Sequence, residues 1–412
     1  MFKRNIKPEL EKALLRSPVV LLNGARQVGK STLVSEFIKS KGYQYLTFDD
    51  ELIYLSAKND PADFIANLPK PIILDEVQRV PEIFLPIKID VDKNREAGRY
   101  LLTGSANPLL IPKLGDSLAG RMEVIDLMPL SQGEILGIKD SFVDLVFTDK
   151  LIINPIESLS KKNLYKKIIT GGYPSVQNVD VEAEEAWMRS YLNLILQRDI
   201  KDLAQIEKIA DLPNILKLLA HRAANLLNVA ELSRDAKMVA QTLHRYISLL
   251  QTIFLINLQQ PWSSNLSLRF IKSPKIYLLD SGLLFYLLGL NLQRVDDEFQ
   301  TGKILENFVV SELRKQITWS KIKPQLYHFR TASGEEVDVI LEDRAGNVVG
   351  IEVKNSQKVT AQDLKGLKIL KEKVGKKFIK GIVLYTGSSV VPLEEKLFAV
   401  PINALWQDYK NS

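Results

Sequence analysis

The 412-residue sequence predicts an α/β architecture: a mostly parallel sheet with helices on both faces, a helical region with a winged-helix unit, then a C-terminal α/β domain. Three observations predict it. A G-x-x-x-x-G-K-S run at residues 24–31 joins a short apolar strand to a helix. From about 182 to 292 the apolar residues recur at the ~3.6-residue helical period, with no strand alternation. Residues 336–354 alternate apolar and polar on both sides of a glycine turn. The expected divisions are 1–150, 151–295 and 296–412, ordinary sizes for domains.

The first division opens on the β-rich run Val19–Asn23, which feeds into Gly24, Ala25, Arg26, Gln27, Val28, Gly29, Lys30, Ser31 and Thr32. This is a Walker A loop in its required strand-to-helix setting. The glycines let backbone N–H groups close around phosphate, Lys30 reaches the β- and γ-phosphates, and Ser31 offers a hydroxyl to Mg²⁺. ATP and Mg are therefore the expected cofactors, and an ATPase the expected enzyme. The run Pro71-Ile-Ile-Leu-Asp75-Glu76 is an apolar strand ending in two acids, a Walker B pattern. Asp75 can hold Mg²⁺ and Glu76 can orient the attacking water.

A third strand, Arg99–Ser105, ends in hydroxyls, and Thr103 or Ser105 can act as a polar sensor. Arg121 follows in Leu-Ala-Gly-Arg. It reads equally as a surface arginine or as a phosphate partner, acting in cis or, in an oligomer of open size, in trans. Residues 122–130 read as a further buried strand. Strands near 19, 44, 72, 100 and 123 alternate with helical stretches, the mark of a parallel sheet. The Gly171-Gly172-Tyr173-Pro174 turn reads, on its residues alone, as a helix stop.

In the middle division, helices are expected over 182–203, 212–224, 229–236 and 240–251. The last two have helix-turn-helix spacing, and the apolar stretch after them suggests a winged helix. In a DNA complex, Gln241, His244 and Arg245 would face the groove and Lys237 the phosphates. The alternative is an ATPase lid or packing module, favoured by the scarcity of cations. Arg198-Asp199 is an interdomain ion pair or a second phosphate sensor.

The late hairpin pairs a strand at 336–342 with one at 348–354 around a three-residue loop with Gly346 in the left-handed position. Val337, Val339, Leu341, Val349, Ile351 and Val353 then share the buried face. On the other face Asp338 opposes Glu352, and Glu336 opposes Lys354. Carboxylates that close repel unless a cation bridges them, so Asp338 and Glu352 are candidate ligands for a divalent metal, with Lys354 beside them. A solvated charge ladder is the plainer reading. Glu306, flanking the apolar face of a helix at 303–313, can reach such a metal, and the stretch 371–380 is basic.

No cysteine excludes disulfides and thiolate metal sites, and three scattered histidines exclude a histidine metal cluster. The net charge of +6 permits nucleic-acid contact. The apolar stretch 276–290 is interrupted by Asp280 and is too short for a membrane span, so no membrane contact and a cytoplasmic location are expected.

Nearly the whole chain resembles the bacterial and archaeal AAA-type ATPases that carry a C-terminal domain of unknown function. The resemblance rests on GARQVGKST, IILDEVQ, YLLTGSA, LAGRMEVIDLMPLS, GGYPSV, LQRDI, KIYLLDSGLL, LENFVVSEL and EVDVILE…GIEVKNS in this order. The C-terminal region is similar to the PD-(D/E)xK, restriction-endonuclease-like nuclease fold. The resemblance implies sensing roles for Ser105 and Arg121, and adenine contacts for Gly172 and Pro174. It also implies a nuclease-like set of Glu306, Asp338, Glu352 and Lys354. Val337 stands where the family's proline precedes the first acid. The implied function is an ATP-hydrolysing switch whose C-terminal domain binds DNA or RNA and cuts it with Mg. The alternative is a non-cleaving regulator or scaffold that binds DNA or a protein partner.

Overall fold

The computed structural model describes residues 1–106, 118–148, 159–196, 211–290, 298–407 and 409, apart from the side chains of Ser40, Phe270, Ile271 and 298–300. After helix α1 (Lys7–Leu14) the chain builds a five-stranded sheet of β1 (Val19–Asn23), β2 (Gln44–Thr47), β3 (Ile72–Asp75), β4 (Tyr100–Gly104) and β5 (Met122–Asp126). The order is β2-β3-β4-β1-β5 and every pairing is parallel. Successive residues of β1 point to opposite faces. Val19 and Leu21 join one apolar cluster, and Val20 and Leu22 the other. Both faces are covered, which is why β1, β3 and β4 read as unbroken apolar runs. β5 is shorter than the expected 122–130 strand and lies at the sheet edge, so most of its residues are only half-buried.

The middle stretch is helical as expected. It includes α3 (Val181–Leu194), α4 (Leu212–Ala220), α5 (Val229–Asp235) and α6 (Ala240–Thr252), with α2 (Lys30–Lys41) lying earlier, after β1. The apolar residues after α6 form β6 (Ile256–Gln259), paired antiparallel with β7 (Lys275–Leu278). Leu226 makes an isolated bridge to Lys275. Arg198 and Asp199 fall outside the described residues. No described helix is long and apolar enough to cross a membrane.

The C-terminal stretch packs a six-stranded mixed sheet between α7 (Glu298–Trp319) and α8 (Lys365–Val374). Its strands are β8 (Gln325–Arg330), β9 (Glu336–Glu342), β10 (Val348–Lys354), β11 (Phe378–Tyr385), β12 (Val391–Glu394) and β13 (Leu397–Pro401), ordered β12-β13-β11-β10-β9-β8. The predicted hairpin register holds where β9 and β10 pair, from Val348 opposite Glu342 to Ile351 opposite Val339.

Two features of the hairpin differ from expectation. Both of its faces are buried: Val339, Leu341, Val349 and Ile351 pack toward α7, whereas Val337, Ile340 and Val348 pack toward α8. The pairing also ends at Ile351–Val339, so Asp338–Glu352 and Glu336–Lys354 are not ladder pairs. The helices on either side bury both faces, and a bulge in β9 lies where the pairing ends. Tyr327 opposes Ile340 and Phe329 opposes Val337, so Asp338 and Val339 together face the single residue His328. One extra residue reverses the side-chain alternation beyond it, which turns Glu336 and Asp338 away from α8.

Candidate functional sites

The loop after β1 is shaped by backbone that only glycine accommodates. Gly24 has φ +154°, and a Cβ there would lie 2.1 Å from the Leu127 carbonyl oxygen. Gly29, at φ +96°, opens α2. Lys30 is buried and donates to the carbonyls of Gly24 and Ala25, both at 2.9 Å. The loop is braced from outside by Arg4, a residue without a motif to mark it. Its guanidinium donates to Val28 O at 2.7 Å and Met128 O at 2.5 Å and pairs with Glu134 at 3.1 Å.

At the carboxyl end of β3, Asp75 Oδ2 accepts from Ser31 Oγ at 3.1 Å and from Tyr45 at 2.6 Å, while Thr103 donates to Oδ1. Glu76 takes a left-handed φ of +59°, an uncommon conformation for a non-glycine residue. Its Oε2 accepts from Ser105 Oγ at 2.9 Å and from the Gln78 amide, which also reaches Ser105 Oγ at 2.7 Å. Burial alone would raise the Glu76 carboxyl. The charge of Lys30 leads the opposing effects, with the Gln78 and Ser105 hydrogen bonds and Arg26, and holds it below its usual range. Sequence reasoning missed Tyr45 and Gln78, although Gln78 stands within IILDEVQ.

Arg121 is placed elsewhere. Its carbonyl accepts from Val19 N, so it lies at the amino end of β1, while the phosphate loop follows the carboxyl end. The length of β1 separates them, roughly 13–16 Å at strand rise. The Arg121 side chain pairs with Asp92 at 2.5 Å instead. Of the alternatives open for Arg121, this placement does not favour a phosphate contact in cis.

The Gly171–Pro174 turn is locked rather than free. Gly172 N donates to Asp280 Oδ2 and Leu130 N to Gly172 O, both at 2.7 Å. A Cβ on Gly172 would stand 2.3 Å from Leu130 O. Tyr173 is buried and shares a 2.8 Å hydrogen bond with Tyr191. Tyr191 stacks on Trp187, and the Trp187 indole donates to Gln27 Oε1 at 3.0 Å. The turn thus reaches the phosphate loop through two aromatic residues of α3.

The four residues expected to form a nuclease-like set lie close together, with a fifth that spacing could not reveal. Lys275 of β7 is 1% exposed. Its ammonium lies 2.8 Å from Glu306 Oε1 and 3.2 Å from Asp338 Oδ1, and it also pairs with Glu336. Tyr277 donates to Glu306 Oε1 at 2.5 Å. The second Asp338 oxygen accepts from Val353 N at 3.0 Å. Glu352 Oε1 lies 3.0 Å from Lys354, which also reaches Asp363 at 3.4 Å. Burial, then Asp338, pushes the Glu306 carboxyl up to about 7; the same two causes, in the same order, raise Glu352 well above its usual value.

This donor set does not fit the metal expected at Asp338 and Glu352. Lys275 and the Val353 N–H engage both Asp338 oxygens and Lys354 engages Glu352 Oε1, which leaves Glu352 Oε2 as the one buried oxygen of the two carboxylates without a partner. Among the described residues, no group of three or more His, Asp or Glu side chains is arranged to hold a metal ion. At the nucleotide site, by contrast, the Ser31 hydroxyl and the Asp75 carboxylate form the hard-oxygen pair that suits Mg²⁺.

Residues 16–136 match the family described as an AAA domain, residues 161–294 a domain of unknown function (DUF8612), and residues 301–405 a domain of unknown function (DUF4143). The chain is 29% identical over 406 residues to the uncharacterized protein Rv2008c of Mycobacterium tuberculosis, covering 98% of this chain and 84% of that protein. It is 24% identical over 325 residues to the uncharacterized protein MJ1544 of Methanocaldococcus jannaschii, covering 76% and 70%. Among solved structures, the Walker-type ATPase PABY2304 of Pyrococcus abyssi aligns at TM-score 0.42 and 16% identity, over 70% of this chain and 96% of that one. By the family match over residues 16–136, the N-terminal unit is similar to AAA-domain proteins.

Proposed function

We propose that this protein is an ATP-hydrolysing conformational switch. The observation that carries the proposal is the convergence of Lys30, Ser31, Asp75, Glu76 and Ser105 at the carboxyl ends of three adjacent strands. Lys30 leaves the Gly24 and Ala25 carbonyls to pair with the β- and γ-phosphates. Ser31 and Asp75 would hold Mg²⁺, which would supply neutralisation of phosphate charge. Glu76, ionised at neutral pH, orients water for attack on the γ-phosphate, and the Ser105–Gln78 pair fixes its carboxylate. The Trp187–Gln27 and Tyr191–Arg26 contacts give the loop a route to the middle region. Gly172 and Pro174 border the adenine in this reading, and Arg121 serves a neighbouring subunit. Phosphate release by wild type and Lys30→Ala tests it: the variant should lose turnover, and hydrolysis that persists in it refutes this site.

Nucleic acid is the partner we propose for the middle region. Gln241, His244 and Arg245 all lie exposed on α6, with Lys237 exposed in the preceding turn. The order α4, Leu226 bridge, α5, α6, β6, β7 supports reading this region as a winged helix. Fluorescence anisotropy with duplex DNA checks this. Replacing Lys237 and Arg245 by alanine should weaken binding and flatten its salt dependence. For the C-terminal domain the nuclease-like reading is kept without cutting, because Lys275 already neutralises Glu306 and Asp338. Duplex and single-stranded DNA left intact with Mg²⁺ or Mn²⁺ is the expected outcome, and cleavage lost in Asp338→Asn overturns it.

A further inference from the structure

We infer that the Lys275 ammonium occupies the cation seat of the C-terminal acid cluster, and that the cluster is a metal-independent lock between the middle region and the C-terminal sheet. The inference deepens the non-cutting reading and rests on it.

The geometry is that of an ammonium ion. Its nitrogen stands 2.8 and 3.2 Å from the Glu306 and Asp338 oxygens, hydrogen-bond lengths for a charged donor. Lysine has three protons to donate, and three carboxylates, those of Glu306, Glu336 and Asp338, surround it. The acids come from α7 and β9, and the cation from β7. Arg330 adds a more exposed pairing to Glu336 at 3.4 Å, and Lys354 answers Glu352 and Asp363 from the far side.

A second grip lies beside the first. Gln259 of β6 is the register partner of Lys275. Its amide donates to the Asp338 backbone carbonyl at 3.0 Å, while Lys275 takes the Asp338 carboxylate. The β9 bulge leaves that residue out of the ladder and so exposes both groups. Asn307 of α7 adds hydrogen bonds to Leu278 N and O at 2.9 and 3.3 Å, and Ser311 one to Leu279 O at 2.8 Å. The two-stranded β6–β7 unit is thus fastened to both α7 and β9, and the acids that resemble a metal site serve as its anchor. A buried carboxylate cluster without its cation is strongly disfavoured, so removing the ammonium leaves a vacancy that a divalent ion can fill.

Thermal melting of the full chain without nucleotide, with and without millimolar Mn²⁺, tests this. The wild-type melting temperature should not respond to Mn²⁺ through the cluster, so wild type and Asp338→Asn should show the same response. Lys275→Met should lose several degrees and regain a large part of them with Mn²⁺. The triple variant Lys275→Met/Glu306→Gln/Asp338→Asn should regain stability without metal and lose the response. A wild-type rise with Mn²⁺ that Asp338→Asn removes would overturn the inference, and without DNA cleavage it would leave the non-cutting reading intact. A folded Lys275→Met that ignores Mn²⁺ overturns it equally. If Lys275→Met does not fold, recovery of folding by the triple variant supports the lock, and failure of both refutes it.

Discussion

Ser31 and Asp75 meet across 3.1 Å, hydroxyl to carboxylate, although 44 residues separate them in the chain. The contact ties the first turn of α2 to the end of β3 at the place proposed to hold a nucleotide's Mg²⁺. Asp75→Asn removes the charge and keeps the shape. It should lower kcat by about 10²-fold or more, as losing a preorganised charge partner does, with the fold unchanged by circular dichroism. Wild-type turnover in this variant would place the metal elsewhere.

Glu76→Gln separates binding from chemistry. The amide keeps contact with Ser105 but cannot act as a base, so kcat should fall by about 10²–10⁴-fold while a fluorescent ATP analogue binds as before. Lys30 and the hydrogen bonds outweigh burial and keep Glu76 ionised. Its contribution to the rate should therefore be flat through neutral pH and decline only below the ordinary carboxylate range of about 4–5. Comparing kcat profiles of wild type and variant checks this.

Arg121→Ala discriminates cis from trans action. The Arg121 side chain pairs with Asp92 at the end of the sheet remote from the phosphate loop. In dilute protein the substitution should leave ATP turnover unchanged. A loss that appears only as protein concentration rises marks a neighbour's nucleotide as the target, and a loss at all concentrations contradicts the placement.

Asp140 gives a pH signature of the packing between the first sheet and α7. Burial and then the charge of Glu312 push its carboxyl up to about 7, while Asn5 donates to Oδ1 at 2.7 Å and Oδ2 lacks a partner. A group raised in the folded state holds its proton from its unfolded value near 4 up to about 7, so stability falls as pH rises through that window. The interval of about 3 pH units sets an upper bound of ~4 kcal/mol. Asp140→Asn should stabilise the protein at pH 8, by up to that amount, and change little at pH 4. Denaturant melts at the two pH values measure it, and an equal effect at both would count against the buried acid.

Gly172→Ala should destabilise by ~1–3 kcal/mol, the cost of overpacking a site that cannot give way. The added methyl meets a backbone oxygen, Leu130 O, at 2.3 Å rather than a mobile side chain. Thermal melting reads this directly.

The sequence by itself determined the nucleotide half. A phosphate loop is a continuous stretch whose glycines, lysine and hydroxyl act through their own backbone, and acids at strand ends are found wherever an apolar run stops. Hydrophobic periodicity likewise foretold α4, α5, α6 and the hairpin register between Ile351 and Val348. Glu306, Asp338, Glu352 and Lys354 were legible as a set, but the tertiary structure alone decided which cation the buried acids meet. A one-residue bulge opposite His328 reversed the faces of Glu336 and Asp338, and no alternation pattern announces where a ladder will slip. Lys275 and Gln259 reach Asp338 across 63 and 79 residues, and an isolated lysine in KIYLLDSGLL carries no spacing signal for partners that distant. Local chemistry is written in consecutive residues; which charge neutralises a buried carboxylate is settled only when separate elements pack.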